Sequence, residues 1–300
     1  MQVKRIKRDI SGVLLLDKPL GFSSNQALQK VKWLFSAAKA GHTGTLDPLA
    51  TGLLPICLGE ATKFAQIITD ANKTYIATVK LGITTTTGDA EGDVLTTETV
   101  DVSASQFAQA AQQFLGDITQ IPPIYSALKV EGKPMYAYAR AGLEVERKPR
   151  QTTIFGIQPL DFKQDIAVIS VTCSKGTYIR TLAEDIGTAL GCGAHLIGLR
   201  RTATATYTLE NITTIEALEN LDPQQRDALL LPVDSAILHL PQTILDADAV
   251  YFLQQGQAVW VAGKTPHGDL RLYNEQSQFL GLGVLQDDGK IAPKRLLRNT

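Results

Sequence analysis

One stretch of this chain limits what the rest can be. Gly41-His42-Thr43-Gly44-Thr45-Leu46-Asp47-Pro48-Leu49-Ala50-Thr51-Gly52 puts three glycines, one proline and four alanine or threonine residues into twelve positions. Glycine and proline both penalise the interiors of helices and strands, so the stretch is a loop with a demanding backbone path. A helical pattern precedes it and an apolar run, Leu53-Leu54-Pro55-Ile56-Cys57-Leu58, follows it. Inside sits one carboxylate, Asp47, which Pro48 confines to extended backbone. Loops carried on a rigid scaffold are where binding and catalysis concentrate. An aspartate before proline is also a common turn residue, and the loop taken alone favours that reading.

The residue types exclude several chemistries. A phosphate cradle of the Walker kind needs Gly-Lys-Ser or Gly-Lys-Thr, and this loop has no lysine; no Gly-x-Gly-x-x-Gly follows either. The histidines (His42, His195, His239, His267) are isolated from one another, and Cys57, Cys173 and Cys192 show no metal-ligand spacing. A Ser-His-Asp hydrolase would want a Gly-x-Ser-x-Gly elbow, which is missing. What remains is a lone carboxylate acting as nucleophile, base or electrostatic stabiliser, with no metal or other cofactor. A buried carboxylate needs a positive partner to stay ionised. Arg180 is the candidate, just inside the helix that follows Lys175-Gly176-Thr177-Tyr178. Its competing reading is a surface arginine on an amphipathic helix.

Around the loop, 300 residues suit one large body with a small appendage. Residues 13–17 form an apolar run fit for a buried strand, ended by the turn signal Lys18-Pro19-Leu20-Gly21. Ser23 or Ser24 caps a helix with Leu28, Val31, Leu34 and Phe35 on one face. A short helix is expected over 61–69. Residues 73–81 alternate, with Tyr75, Ala77, Val79 and Leu81 on one face, as a strand does. A polar loop spans 84–89, and a helix carrying Phe107, Ala110, Ala111 and Phe114 ends at Gly116. Residues 121–152 read as a basic insertion projecting from the body, with a strand over 125–130, a turn over 131–134 and a helix over 135–141. Further on, 166–173 alternate, 178–190 are helical up to Gly191, and 195–208 are extended. Short helices fall at 215–220 and 223–230. A linker is expected between Leu231-Pro232 and Leu240-Pro241. Beyond it, a capped helix over 246–255 and strands at 258–261, 270–273, 279–285 and 291–297, parted by glycine-rich turns, suggest a small β-barrel.

The bulk properties narrow the setting. No apolar run approaches the ~18–20 residues that span a bilayer, and no signal-peptide core follows the basic start. Three widely spaced cysteines read as reduced core thiols, which points to the cytoplasm. The net charge of −1 argues against coating nucleic acid non-specifically but allows a local basic face.

At this point the residues match a family. The 41–52 loop, Leu14-Leu15-Leu16-Asp17-Lys18-Pro19, Lys73-Thr74-Tyr75, and Cys173-Ser174-Lys175-Gly176-Thr177-Tyr178-Ile179-Arg180-Thr181-Leu182 strongly resemble the bacterial tRNA pseudouridine-55 synthases of TruB type. Gly191-Cys192-Gly193-Ala194-His195, Leu199-Arg200-Arg201 and Tyr125-Ser126-Ala127-Leu128-Lys129 extend the resemblance over nearly the whole chain, in the family's order. It implies an α+β fold: a mixed, mainly antiparallel central sheet flanked by helices, followed by a small PUA-like β-barrel. The implied boundaries are a catalytic domain at 1–240 and an RNA-binding domain at 241–300.

The resemblance also implies an activity. A uridine at position 55, in the T-loop of tRNA, has its N-glycosidic bond broken, its base rotated, and C5 joined to C1′, without cofactor. Asp47 falls on the family's nucleophile, which attacks either C6 or C1′. Tyr75 matches the residue that stacks on the base and accepts the C5 proton, directly or by relay. Arg180 matches the nucleophile's partner. Tyr178 and Leu199 match positions lining the uracil pocket, Lys18 joins the substrate-binding set, and His42 matches a residue that holds the flipped-out loop. The loop glycines are expected to let the RNA backbone come close. Lys129, Lys133, Arg140, Arg147, Lys148 and Arg150 on the insertion are RNA-backbone candidates, with Lys294, Arg295 and Arg298 at the C-terminal end. Base extrusion fits the physics, because a stacked uracil hides C5, C6 and C1′. The expected partner is the tRNA T-stem-loop, with no membrane and no obligate protein partner, and the chain is expected to be a monomer. RNA-guided relatives of the family are one alternative; the absence of long basic tails and the bacterial-type insertion favour a stand-alone enzyme. An inactive RNA-binding or RNA-folding module is the other, and the intact Asp47, Tyr75 and Arg180 weigh against it.

Overall fold

The computed structural model describes residues 6–126, 128–130, 132–143, 145–261 and 267–298. In chain order the first elements are β1 (Gly12–Lys18), α1 (Ser24–Leu34), β2 (Ala40–His42), β3 (Ala50–Leu58), a 3₁₀ turn (Gly59–Lys63), α2 (Ala65–Asp70) and β4 (Lys73–Leu81). Next come β5 (Ile83–Thr85), β6 (Val94–Thr97), α3 (Ala104–Gln112) and β7 (Gly116–Gln120). The insertion holds β8 (Lys129–Val130), β9 (Lys133–Pro134) and α4 (Met135–Arg140). Then follow β10 (Arg150–Lys163), β11 (Ile166–Cys173), α5 (Ile179–Ala189), β12 (Ala194–Thr204), α6 (Ile215–Asn220) and α7 (Pro223–Asp227). After a 3₁₀ turn (Val233–Ile237), the chain ends in β13 (Gln242–Leu245), α8 (Ala247–Gln254), β14 (Gly268–Asn274), β15 (Phe279–Leu285) and β16 (Ile291–Leu296).

Eight strands make the central sheet, in the order β1-β3-β12-β4-β11-β10-β7 with β2 added on β3. All its pairings are antiparallel except β3 with β12, so the sheet is mixed and mainly antiparallel. Both faces are covered, which explains why β1 and β3 read as continuous apolar runs. Leu14 and Leu16 of β1 face a core shared with α1, α3 and α5. Val13 and Leu15 face the opposite side, against Phe64, Ile68 and Ile237. Caps set the helix starts: Ser23 and Ser103 close capping boxes on α1 and α3, and Asp246 accepts from Ala249 N at α8.

The C-terminal unit is a four-stranded sheet, β13-β14-β15-β16, with its own small core of Leu245, Leu253, Leu270 and Leu272. It is docked on the body. Phe279 packs on Phe64 with ring centroids 5.7 Å apart. Tyr273 donates to Asp234, Lys63 donates to Leu296 O at 2.8 Å, and Arg298 N donates to Glu60 at 2.7 Å.

Several expectations are corrected. The segment 231–241 is no free linker: Asp234, Ser235, Ala236 and Ile237 are buried beneath the C-terminal sheet. Only Lys129–Val130 of the 125–130 strand forms, in a hairpin with β9. Gly116 opens β7 instead of merely stopping α3, and its φ of +95° explains the glycine. Of 258–261, Val259 makes a single bridge to Ile291. The 61–69 helix is split between the 3₁₀ turn and α2. Ala127, Glu131 and the side chains of Lys129 and Arg140 lie outside the described residues.

Candidate active site

The 41–52 stretch joins the antiparallel neighbours β2 and β3, which claim Gly41 and His42 at one end and Ala50 onward at the other. Its path is fixed by hydrogen bonds to its backbone. Leu46, next to Asp47, is buried; its N–H donates to Ser24 Oγ at 2.7 Å, and Ser24 Oγ donates back to Leu46 O at 2.9 Å. Asp47 O accepts from Ala50 N at 3.0 Å, and Pro48 O accepts from Gly21 N at 2.9 Å. On this braced backbone the Asp47 side chain is 41 % exposed.

Arg180 meets it from the first turn of α5. Its Nη2 lies 3.0 Å from Asp47 Oδ2 and donates to Tyr125 O at 2.7 Å. Its Nη1 lies 3.3 Å from Asp89 Oδ2 and donates to Thr87 O at 3.1 Å. The Arg180 side chain is only 6 % exposed, so it is no surface arginine. One buried guanidinium therefore serves two carboxylates, a half-buried one and a buried one. Burial pushes the Asp47 carboxyl above its usual range; Arg180 opposes this and Asp89 adds to it.

Sequence reasoning had no role for Asp89. It sits at the end of the polar 84–89 loop, where Thr87 Oγ1 and Glu91 N donate to it. Nothing local marks it as Arg180's second partner. The one hint was a carboxylate in a tight Thr-Gly-Asp turn.

The cleft around Asp47 has a volume of about 560 Å³, and Tyr75, Tyr178, Arg180 and Leu199 share its lining. These come from β4, the start of α5 and β12, so the expected residues converge from distant parts of the chain. Tyr75 is 8 % exposed, and burial pushes its phenol above the ordinary value. Tyr178 caps α5, held by Gln120, which accepts from its N–H at 2.9 Å and donates to its carbonyl at 3.2 Å. Leu199 packs partly buried against the main core.

The remaining expected residues lie elsewhere. Lys18 is wholly buried: its ammonium donates to Pro19 O at 2.9 Å and to Phe22 O, and burial lowers it to about 8. Its reach into the site is through its charge on Asp47, not by contact with a ligand in the cleft. His42 lines β2 outside the cleft. Its Nδ1 is buried with no hydrogen-bond partner among the described residues, and burial together with Arg201 lowers its pKa. Lys133, Arg147, Lys148 and Arg150 are exposed, and only Arg150 of these reaches the cleft. At the C-terminal end, Lys294 pairs with Asp269 at 2.7 Å and Arg295 donates to Lys63 O, so both already have protein partners. Nor do the loop glycines all face open space. A Cβ on Gly44 would meet Arg201 Nη1 at 3.3 Å, and one on Gly52 would meet Arg201 O at 2.4 Å. Gly41 alone of the three has nothing nearby.

Among the described residues no three His, Cys, Asp or Glu side chains gather as a metal site. No helix among them is long and apolar enough to cross a membrane. Cys57, Cys173 and Cys192 are all buried and free, and burial pushes the first two thiols to about 12 and about 11. What the cleft offers is an ionisable carboxylate on a braced loop, a guanidinium beside it, and two phenols with an apolar wall.

Comparison with known proteins gives consistent matches. Residues 32–179 match the family model of the TruB family pseudouridylate synthase N-terminal domain. Residues 180–238 match that of the tRNA pseudouridylate synthase B C-terminal domain, and 241–297 that of the pseudouridine synthase II TruB C-terminal segment. A tRNA pseudouridine synthase B of Methylobacillus flagellatus is 60 % identical over 300 residues, covering 99 % of both chains. Proteins of the same name from Pseudomonas aeruginosa and Neisseria gonorrhoeae are 51 % and 53 % identical, the first covering 99 % of both chains, the second 96 % of this chain and 94 % of its own. Among solved structures, a chain of a Cbf5–Nop10–Gar1 complex superposes with a TM-score of 0.71 at 27 % identity, covering 96 % of this chain and 84 % of that one.

Proposed function

The chain belongs to the TruB family of pseudouridylate synthases, and from that premise we propose how its residues isomerise a tRNA uridine, at position 55, to pseudouridine. The observation that carries the reading is the Asp47–Arg180 pair at 3.0 Å, in one cleft with Tyr75 and Leu199.

The target uridine leaves its stack and enters the cleft, since neither its ring nor C1′ is reachable inside a folded loop. Unstacking costs a few kcal/mol, offset by contact with Tyr75, Tyr178 and Leu199. Arg180 holds Asp47 ionised against the effect of burial, and Asp47 attacks C6 or C1′. The N1–C1′ bond breaks, the base turns in the cleft, and C5 bonds to C1′. The proton on C5 is then lost, N1 ends protonated, and Asp47 is released, so the product is an isomer of the substrate. Burial pushes the Tyr75 phenol up; Tyr75 is the acceptor of the C5 proton, directly or by relay, and the net transfer is one proton from C5 to N1.

His42 helps hold the extruded T-loop, and exposed Lys133, Arg147, Lys148 and Arg150 contact its backbone. Residues 1–240 act as the catalytic domain and 241–300 as the RNA-binding one. The enzyme works as a monomer in the cytoplasm, without guide RNA or partner proteins. The support is the near-full-length match to proteins named as tRNA pseudouridine synthase B at 51–60 % identity, against 27 % to a chain from a multiprotein complex.

The test is to incubate the purified chain with unmodified tRNA and map pseudouridine by carbodiimide labelling, because mass alone misses an isomer. Modification at a single T-loop uridine is expected, and Asp47→Asn should abolish it while tRNA binding persists. Turnover by that variant would remove Asp47 from the mechanism.

A further inference from the structure

Arg201 is the largest fully buried side chain in the protein's described residues, at 1 % exposure. No ion pair joins it to a carboxylate among those residues. Burying a guanidinium without a counter-ion costs several kcal/mol, so its other contacts carry the explanation. Its Nε donates to Leu53 O at 2.7 Å and its Nη2 to Gly44 O at 3.3 Å. Gly44 and Leu53 lie on either side of Asp47, before and after it in the chain. In the sheet, Arg201 stands directly across from Tyr75 on β4 and from Gly52 on β3. Directly opposed residues in a sheet bring their side chains into contact range.

The loop packs closely on Arg201. Gly44 has φ +83° and Gly52 φ +94°, where only glycine is at ease. A Cβ on Gly44 would meet the guanidinium at 3.3 Å, and one on Gly52 would meet the Arg201 backbone oxygen at 2.4 Å. The charge of Arg201 also acts on His42, where it adds to burial in lowering the pKa. On Tyr75 it opposes burial, while Cys173 and Asp47 act in the other direction.

We propose that Arg201 is the positioning residue of this site: one guanidinium clips both ends of the Asp47 loop to the central sheet and, lacking a carboxylate of its own, presents its charge to His42 and Tyr75. This rests on reading Asp47 as the nucleophile and Tyr75 as the C5 proton acceptor. Arg201 borders the cleft and acts through the loop and through those two side chains.

The experiment compares wild type, Arg201→Lys and Arg201→Met. Each is assayed for kcat and KM on unmodified tRNA, and the His42 ring is followed by NMR against pH, assigned by its loss in His42→Asn. Arg201→Lys keeps a charge but loses the two-point clip, so kcat falls about tenfold or more with KM little changed and His42 titrating near wild type. Arg201→Met loses both, so kcat falls about a hundredfold and His42 titrates at higher pH. A Met variant with kcat within about threefold of wild type overturns the proposal, as does a rise in KM with kcat retained, which marks a substrate contact. An unmoved His42 titration in that variant also overturns it. If Arg201→Met does not fold, Arg201→Lys decides: near-normal kcat refutes the clip. A wild-type chain inactive on tRNA would refute the functional reading, while the His42 titration would still judge Arg201.

Discussion

Replacing Arg180 with methionine separates what its two ion pairs do. At an effective dielectric of about 20, charges 3.0 and 3.3 Å apart attract by about 5 kcal/mol each. The two partners differ in their access to water. Asp47 has a side chain 41 % exposed, so water takes over much of its solvation and losing its partner costs at most about 1 kcal/mol of stability. The Asp89 side chain is 3 % exposed, so Arg180→Met strands a buried charge, at a cost of about 3–5 kcal/mol. Adding Asp89→Asn removes that charge and should bring the urea midpoint back most of the way. Activity should not follow. With no guanidinium paired to Asp47, both the single and the double variant should lose about 10²–10³ in kcat, the scale of one preorganised charged hydrogen bond. Tritium release from C5 of labelled tRNA measures the rate, and urea titration followed by circular dichroism measures stability. A double variant as unstable as Arg180→Met would show that Asp89 is not the stranded charge. One that regained turnover would show that Asp47 does not need Arg180.

Other outcomes follow from the same geometry. Because burial raises the Asp47 pKa, folding favours its protonated form; that contribution is complete below the unfolded value of about 3.8 and is lost as pH rises through the folded value. Asp47→Asn should therefore raise the urea midpoint at pH 7, with the gain fading towards pH 4, while turnover disappears. Tyr75→Phe should lower tritium release by about 10²–10⁴-fold with the fold intact by circular dichroism; a normal rate would place the C5 proton elsewhere. Gly52→Ala should cost about 1–3 kcal/mol or more, measured by urea titration, since its Cβ would sit 2.4 Å from Arg201 O at φ +94°.

Legibility in the sequence followed the range of the interactions. Local signals held: the capping serine of α1, the apolar spacing of α3, the alternation of β4 and β11, and the helical period of α5 place their elements within a few residues. Signals interrupted locally did not. The long β10 went unread because Gly156 and Pro159 break its pattern, and both lie at register shifts against β11. The turn over Val233–Ile237 looked like a linker because its prolines suggested one, and only the docking of the C-terminal sheet buries it. In the site, Asp47 and Arg180 sit in recognisable motifs. Asp89 and Arg201 act through contacts across 90 residues or more of chain, to Arg180 and to Gly44 and Leu53. Such pairings leave no periodicity to find.

The place of β12 in the sheet bears on when the enzyme can first work. The strands made early fall into two blocks: β1, β2 and β3 bear the nucleophile loop, and β4, β11, β10 and β7 bear Tyr75 and lead into Arg180. No strand of one block pairs with the other, and β12 alone lies between them. While the chain is being synthesised, both blocks can fold against their own helices, yet Asp47 and Tyr75 stay on separate pieces until residues 194–204 leave the ribosome and insert. Insertion requires a parallel pairing to a strand made far earlier, a slow class of contact. A chain grown just past α5 therefore holds Asp47, Tyr75 and Arg180 but has no assembled site, and activity switches on with one late strand.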